Sequence, residues 1–310
     1  ALHHMSGAFQ GVMRDIGATL KQAYRAPVAI IVPGSGTFGM EAVARQFATG
    51  RRCLVIRNGW FSYRWSQIFE AGSIPAHTTL PDDYLRAVAG AAHEVGALFV
   101  LDCIASGTIW VDMEATGVDV LISAPQKGWS SSPCCAMVML SARARTAIDA
   151  TQSTSFAADL KKWMQIMEAY EKGGHAYHAT MPTDALARMR DTMKETAAWG
   201  FDRAKAAQQE LGPKVRALLA QHGFRSVAAK GFEAPGVVVS YTDDPDIQSS
   251  AKFRAEGLQT AAGVPLQCDE GPDFRTFRIG LFGLDKLRNV DRTVGNLEKA
   301  LEHVHPAHSQ

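Results

Sequence analysis

Short, largely apolar runs alternate with segments of helical spacing, and this alternation constrains the chain more than any other feature. The runs are Val28 to Val32, Cys53 to Ile56, Ala97 to Leu101, Val118 to Ile122 and Ala136 to Leu140. Ahead of the first, apolar residues recur at Phe9, Val12, Met13, Ile16 and Leu20, the spacing of one helix face. Helical patterns also cover Thr37 to about Phe47 and Tyr84 to Val95. Strands apolar at successive positions are buried on both faces, which is the habit of parallel strands joined by helices. The predicted class is α/β, a mostly parallel open sheet with helices on both sides.

Farther along, the pattern changes. Two long helical stretches, Ala157 to Lys172 and Thr183 to Leu211, come first, the second broken near Gly212-Pro213. A further helix, strand-like Gly236 to Tyr241, a helix near Ile247 to Glu256, strand-like Thr276 to Gly280 and a last helix from Asn289 to His303 follow. The predicted division is a large domain over 1–200 and a smaller C-terminal α+β domain over 201–310. A length of 310 residues fits two domains at roughly 150 residues each.

Composition narrows the partners. A net charge of +1 argues against nucleic acid, which needs a basic face. No apolar run approaches the roughly 20 residues of a membrane helix. Cys53, Cys103, Cys134, Cys135 and Cys268 are irregularly spaced, with neither a disulfide framework nor a metal-ligand pattern. His77, His93, His175 and His178 show no ligand-like grouping, so no metal is expected. The Cys134-Cys135 pair reads as packing ahead of a strand. The expected setting is a reduced, cytoplasmic protein.

In an open parallel sheet, ligands bind beyond the carboxyl ends of the strands. Four segments stand there: Gly34-Ser35-Gly36-Thr37, Asn58-Gly59-Trp60-Phe61, Asp102 and Gln126-Lys127. The first can hold an anion on backbone amides at a helix N-terminus. It has neither the Lys-Ser/Thr ending of a nucleotide P-loop nor the third glycine of a dinucleotide fingerprint. Taken alone it is equally a plain strand-to-helix turn, and Lys127 alone reads as a surface lysine. Together the set changes meaning. An aspartate can pair with a protonated pyridine nitrogen, a lysine can form a Schiff base with an aldehyde, and an aromatic can stack. Those are the needs of pyridoxal phosphate.

At this point the residues resemble a known family, the class V, fold-type I pyridoxal-phosphate aminotransferases of the alanine–glyoxylate / serine–pyruvate group. The likeness runs from His4-Met5-Ser6-Gly7 to the last helix. Gly34-Ser35-Gly36-Thr37 with Met40-Glu41-Ala42 is similar to the family's phosphate loop, which places Ser35, Gly36 and Thr37 on the cofactor phosphate. Asn58 to Arg64 is similar to its ring-stacking loop, with Phe61 at the stacking position. Asp102-Cys103-Ile104-Ala105-Ser106 resembles the segment whose aspartate holds the pyridine nitrogen, with Ile104 against the ring. Gln126-Lys127 resembles the phosphate-binding glutamine and the cofactor lysine. Tyr177 to Pro182 resembles a loop that reaches the neighbouring subunit's phosphate, which implies a homodimer with Tyr177 and Thr180 acting in trans. Phe277-Arg278-Ile279-Gly280 resembles the segment whose arginine clamps a substrate carboxylate, a task suited to its forked guanidinium.

The resemblance implies ping-pong transamination from a small amino acid, alanine or serine, to a keto acid, glyoxylate or pyruvate. Lys127 and Asp102 would be the catalytic pair. A 2-aminoethylphosphonate:pyruvate transaminase carries the same motifs. A cysteine desulfurase fits less well, because Gln126 stands where a histidine usually precedes its lysine. An inactive scaffold of the same fold is the rival from outside enzymes. Two departures bear on that rival. The expectation is that the family's N-terminal arm is missing from this sequence. The chain also passes from Ala71 through Leu80 straight to Pro81-Asp82-Asp83-Tyr84, where the family has a further helix, a strand and a ring-contacting segment. The expectation is that residues 77–80 join segments that are not neighbours in the natural protein.

Overall fold

A computed structural model describes residues 2–56, 60–71, 82–266 and 269–306. The junction expected at 77–80 lies outside the described residues. The chain forms two compact units, Ala1–Ala105 with Trp110–Phe201, and Ser106–Ile109 with Asp202–Gln310.

In the first unit the elements run α1 (Gly7–Tyr24), β1 (Val28–Pro33), α2 (Gly36–Phe47), α3 (Trp60–Ala71), α4 (Asp82–Glu94) and β2 (Val100–Asp102). They continue with α5 (Met113–Thr116), β3 (Val120–Ser123), β4 (Cys135–Leu140), α6 (Ala142–Asp149), α7 (Leu160–Glu171) and α8 (Thr183–Trp199). Helix α1 forms where its pattern predicts. Ser6 caps it by accepting the Phe9 amide, and Arg25 in the left-handed region closes it. Its stripe Phe9, Val12, Met13, Ile16 and Leu20 is fully buried.

The sheet order is β1-β4-β3-β2. Strands β1, β3 and β2 point the same way, and β4 runs antiparallel between β1 and β3. The sheet is thus mostly parallel with one reversed strand. The reversal has a local cause: only a turn and loop, with no helix, join β3 to β4, and an antiparallel return needs no crossover. Side-chain alternation places the layers. A Cβ on Gly39 of α2 would meet Ile122 of β3, whereas the adjacent Ser123 accepts the Tyr24 hydroxyl of α1 at 3.0 Å. Helices α1 and α2 therefore cover opposite faces.

Cys53 to Ile56 forms no strand, contrary to the reading of its apolar run, and Leu54 is 75% exposed. Among the described residues no strand lies beside it to take its backbone hydrogen bonds, and a strand does not persist without that ladder. The long helix also breaks elsewhere than predicted. It breaks at Gly200, whose φ of 107° ends α8, and not at Gly212-Pro213.

In the second unit follow α9 (Phe201–Gln221), β5 (Val237–Tyr241), α10 (Pro245–Gln248), α11 (Ala251–Ala255), β6 (Ala261–Ala262), β7 (Thr276–Gly280), α12 (Leu284–Arg288) and α13 (Val290–Val304). Helix α9 carries Pro213 within it. Gly212 is there for proximity: a Cβ would stand 2.7 Å from the Pro235 Cα. Gln208, wholly buried, donates to the Pro235 and Leu281 carbonyls and ties α9 to the sheet's flank. The sheet is antiparallel, order β5-β7-β6, over a core of Phe224, Phe253 and Phe277. The helix predicted near Ile247 to Glu256 is two short ones, parted at Ser250 in the left-handed region.

Candidate active site

Because β1, β2 and β3 share a direction, their carboxyl ends lie on one sheet edge. That edge brings together the Gly34–Thr37 turn, Asp102 to Ala105, and the Gln126-Lys127 turn.

The first turn is shaped by the strands beside it. The Gly34 amide donates to the Cys134 carbonyl at 3.1 Å. Gly34 takes a φ of 123°, and a Cβ there would strike the Phe38 ring. Ser35 is the N-cap residue of α2, yet its side chain makes no capping bond. The Phe38 amide donates to the Ser35 carbonyl at 2.9 Å, while the Gly36 and Thr37 amides ahead of it have no intrahelical acceptor. Gly36 lies against Ile104, with room for no more than hydrogen: a Cβ would sit 2.6 Å from its Cδ1. The turns after β1 and β2 therefore touch.

Asp102 ends β2. Its Oδ1 accepts the Ile104 amide at 3.0 Å and its Oδ2 accepts the Trp65 indole N–H at 3.1 Å. The carboxylate keeps contact with solvent, but the chain around it removes enough water to push its pKa above the ordinary carboxylate value. The two hydrogen bonds and the nearby Arg64 charge oppose that rise without cancelling it. The Cys103 amide bonds the Ile122 carbonyl at 2.8 Å and fastens this loop to β3.

Lys127 is half-buried in the turn after β3. Below it Trp129 is fully buried, its ring centroid 4.5 Å from Trp110, 6.3 Å from Tyr24 and 6.1 Å from Phe201. This aromatic cluster anchors the turn from the core side. Gln126 Oε1 is buried without a hydrogen-bond partner.

Helix α3 supplies two residues to which the motif reading gave no role. Arg64 donates from Nη1 to Thr37 Oγ1 at 3.0 Å and covers the Phe61 ring at 5.0 Å. Trp65 holds Asp102, as above. Phe61, Arg64 and Trp65 stand three and four apart and so share a helix face, a spacing visible in the sequence. Phe61 itself is exposed. Asn58 and Gly59 lie outside the described residues.

The remaining predicted residues have these local partners. Tyr177 and Thr180 are exposed, their hydroxyls 3.4 Å apart, with the Tyr177 ring 5.5 Å from His4. Arg278, in the second unit, is half-buried on β7, and its Nε donates to the Ala262 carbonyl at 2.9 Å. Partial burial lowers its pKa. Of the histidines, His93 bonds Asp119 at 2.8 Å, His175 packs against His4, and His178 bonds the Phe156 carbonyl. His77 and Cys268 lie outside the described residues.

The cluster fits the phosphate and ring of a pyridoxal-type group. It offers a glycine turn with no room for Cβ atoms, uncapped helix amides, an orphaned amide at Gln126, and an anchored carboxylate. The orphan Gln126 amide can turn its NH2 toward an anion.

No model of a known protein family matches the chain. Individual relatives do. A soluble hydrogenase small subunit of Synechococcus sp. is 22% identical, over 96% of this chain and 86% of that one. Rabbit alanine–glyoxylate aminotransferase is 26% identical, over 68% of this chain and 54% of the relative. A 2-aminoethylphosphonate–pyruvate transaminase of Burkholderia ambifaria is 26% identical, over 70% and 57%. The likeness thus spans little more than half the length of the last two. Among solved structures, alanine–glyoxylate aminotransferase of Nostoc sp. superimposes with a TM-score of 0.81 at 20% identity, covering 97% of this chain and 89% of that one. A Thermus thermophilus aspartate aminotransferase of subgroup IV also reaches 0.81, at 23% identity, with 98% and 93% covered. At these identities the superpositions establish a shared fold.

Proposed function

We propose that this chain, a relative of the class V aminotransferases with their fold-type I architecture, moves an amino group from a small amino acid, alanine or serine, to a keto acid, glyoxylate or pyruvate. The observation that carries the reading is that the Gly34–Thr37 turn, which touches Ile104 next to the anchored Asp102, and the Lys127 turn all follow strands of one direction and so leave the sheet on one side. The group for which these residues are suited is pyridoxal 5'-phosphate, which when bound supplies an electron sink for the carbanion left by loss of the substrate's α-proton.

The chain's own residues then divide the work. Ser35, Gly36, Thr37 and Gln126 hold the phosphate, the backbone amides at the α2 N-terminus contributing most of the pull. Asp102, as the anion, would hold a proton on the ring nitrogen. Phe61 and Ile104 would pack against the ring. Lys127 would be the residue that holds the group's aldehyde and, with its amine free, would serve as the base that moves the substrate's α-proton. Arg278 binds the substrate carboxylate in bidentate fashion.

We further read the protein as a cytoplasmic homodimer, with Tyr177 and Thr180 serving the partner's phosphate site. The exposure of that pair supports this, as do Cys53, Cys103, Cys134 and Cys135, which are not joined in disulfides. No helix among the described residues is long and apolar enough to cross a membrane.

The test is a visible absorbance spectrum of the purified protein with pyridoxal phosphate, before and after alanine. A band that bleaches with alanine supports the reading. A band indifferent to alanine but bleached by 2-aminoethylphosphonate favours the second reading, which the Burkholderia relative motivates. No band at all refutes both and leaves an inactive scaffold. Lys127→Ala should abolish the band and turnover, with the far-UV circular dichroism unchanged.

A further inference from the structure

Helix α3 reaches both ends of the cluster from one face. Arg64 bonds Thr37 in the phosphate turn, and the next residue, Trp65, bonds Asp102. Trp65 is only 7% exposed, and its ring packs against Phe69 at 5.6 Å. We infer that Trp65 is a positioning residue for the cofactor site: its indole N–H fixes the plane of the Asp102 carboxylate so that the anion meets a ring nitrogen. This inference rests on the aminotransferase reading above.

The geometry argues for orientation as well as for satisfying a buried indole. A carboxylate held at one oxygen can swing about its Cβ–Cγ bond. Asp102 is held at both, Oδ1 by the Ile104 amide and Oδ2 by the indole. Each oxygen keeps a second acceptor site, so a third donor can still be received. Indole is also suited by its chemistry. It donates only and does not titrate in the working range, so it always favours the ionised carboxylate. That matters at Asp102, where loss of solvent works against the charge. A histidine would gain and lose a proton near neutrality, and a hydroxyl could rotate to accept instead.

The test uses the full-length chain and its Trp65→Phe and Asp102→Asn variants. Phenylalanine keeps an aromatic ring in the packing against Phe69 and removes only the donor and the larger ring's extra volume. With 15N-labelled indoles, the resonance missing from Trp65→Phe identifies Trp65. In the cofactor-free protein that resonance should move with pH as Asp102 titrates, and stay flat in Asp102→Asn. Pyridoxal phosphate affinity, read from the visible band, should fall about tenfold in Trp65→Phe, the loss expected for a hydrogen bond to a charged group. Inorganic phosphate, which meets only the Gly34–Thr37 end, should compete equally well in both proteins. Equal pyridoxal phosphate affinity in wild type and Trp65→Phe overturns the inference and leaves the aminotransferase reading standing. A parallel loss of phosphate affinity also overturns it, since that would mark a general disturbance of α3. No band in the wild type overturns the reading and the inference together.

Discussion

Gly36 and Ile104 offer the most exacting test of the packing at the cluster. Gly36 opens α2 without a positive φ, so an alanine there suffers no backbone strain. On backbone propensity alone, because alanine restricts the unfolded chain more than glycine does, the change should stabilise by about 0.4–1 kcal/mol. The new Cβ, however, would stand 2.6 Å from Ile104 Cδ1 and 3.1 Å from its Cγ1. Carbon atoms settle about 3.5–4.0 Å apart, so the isoleucine must yield by about 1 Å. Its side chain is half-buried and can turn aside, at about 0.5–1.5 kcal/mol for an off-rotamer position. Gly36→Ala should therefore change stability by less than about 1 kcal/mol, because the two effects nearly offset. In an Ile104→Ala background the obstacle is gone and the full propensity gain should appear. The coupling between the two sites should be about 1 kcal/mol, above the 0.3–0.5 kcal/mol within which distant sites add. Urea midpoints for the four proteins measure it, and about 1 kcal/mol corresponds to roughly 1.5 °C in Tm at a length of 310 residues. Additive effects, or a Gly36→Ala that stabilises equally in both backgrounds, would refute the contact between the two turns.

Three further outcomes follow from other parts of the structure. The raised Asp102 carboxyl makes the folded state bind a proton more tightly than the unfolded chain, so its contribution to stability falls as pH rises from the ordinary 3.8 up through the folded value. The stability of wild type minus that of Asp102→Asn, both cofactor-free, should decline across that window in urea titrations; a difference that rises with pH contradicts the assignment. Asp119 is 2% exposed and accepts from the Phe99 amide at 2.9 Å and the Ser141 hydroxyl at 3.0 Å, with His93 at 2.8 Å. Asp119→Ala orphans those groups and should cost about 3 kcal/mol or more in equilibrium unfolding, and a loss below about 1 kcal/mol would deny it that role. Gly212→Ala pushes a Cβ to 2.7 Å from Pro235 Cα, which is backbone and cannot turn aside, so a loss of about 1–3 kcal/mol is expected. A fully stable variant would mean that α9 does not lie against Pro235.

The sequence by itself determined the elements that carry the site and the edge on which they meet. Apolar runs such as Val28 to Val32 report burial on both faces, and glycine, serine and aspartate mark where each run stops. That is enough to place Gly34, Asp102 and Lys127 beyond strand ends on the same side of the sheet, because strands of one direction all end on that side. The tertiary structure alone decided which strand reverses, since burial is the same in either direction and only the loop into β4 sets its course. It decided that Cys53 to Ile56 is no strand, because an apolar run says nothing about whether a partner stands beside it. It put the helix break at Gly200, where a positive φ is used, instead of at Pro213, which the helix accommodates. It also placed the Trp65 indole on Asp102 across 37 residues of chain. Periodicity marks the face on which a side chain lies, while what meets that face depends on contacts distant in sequence.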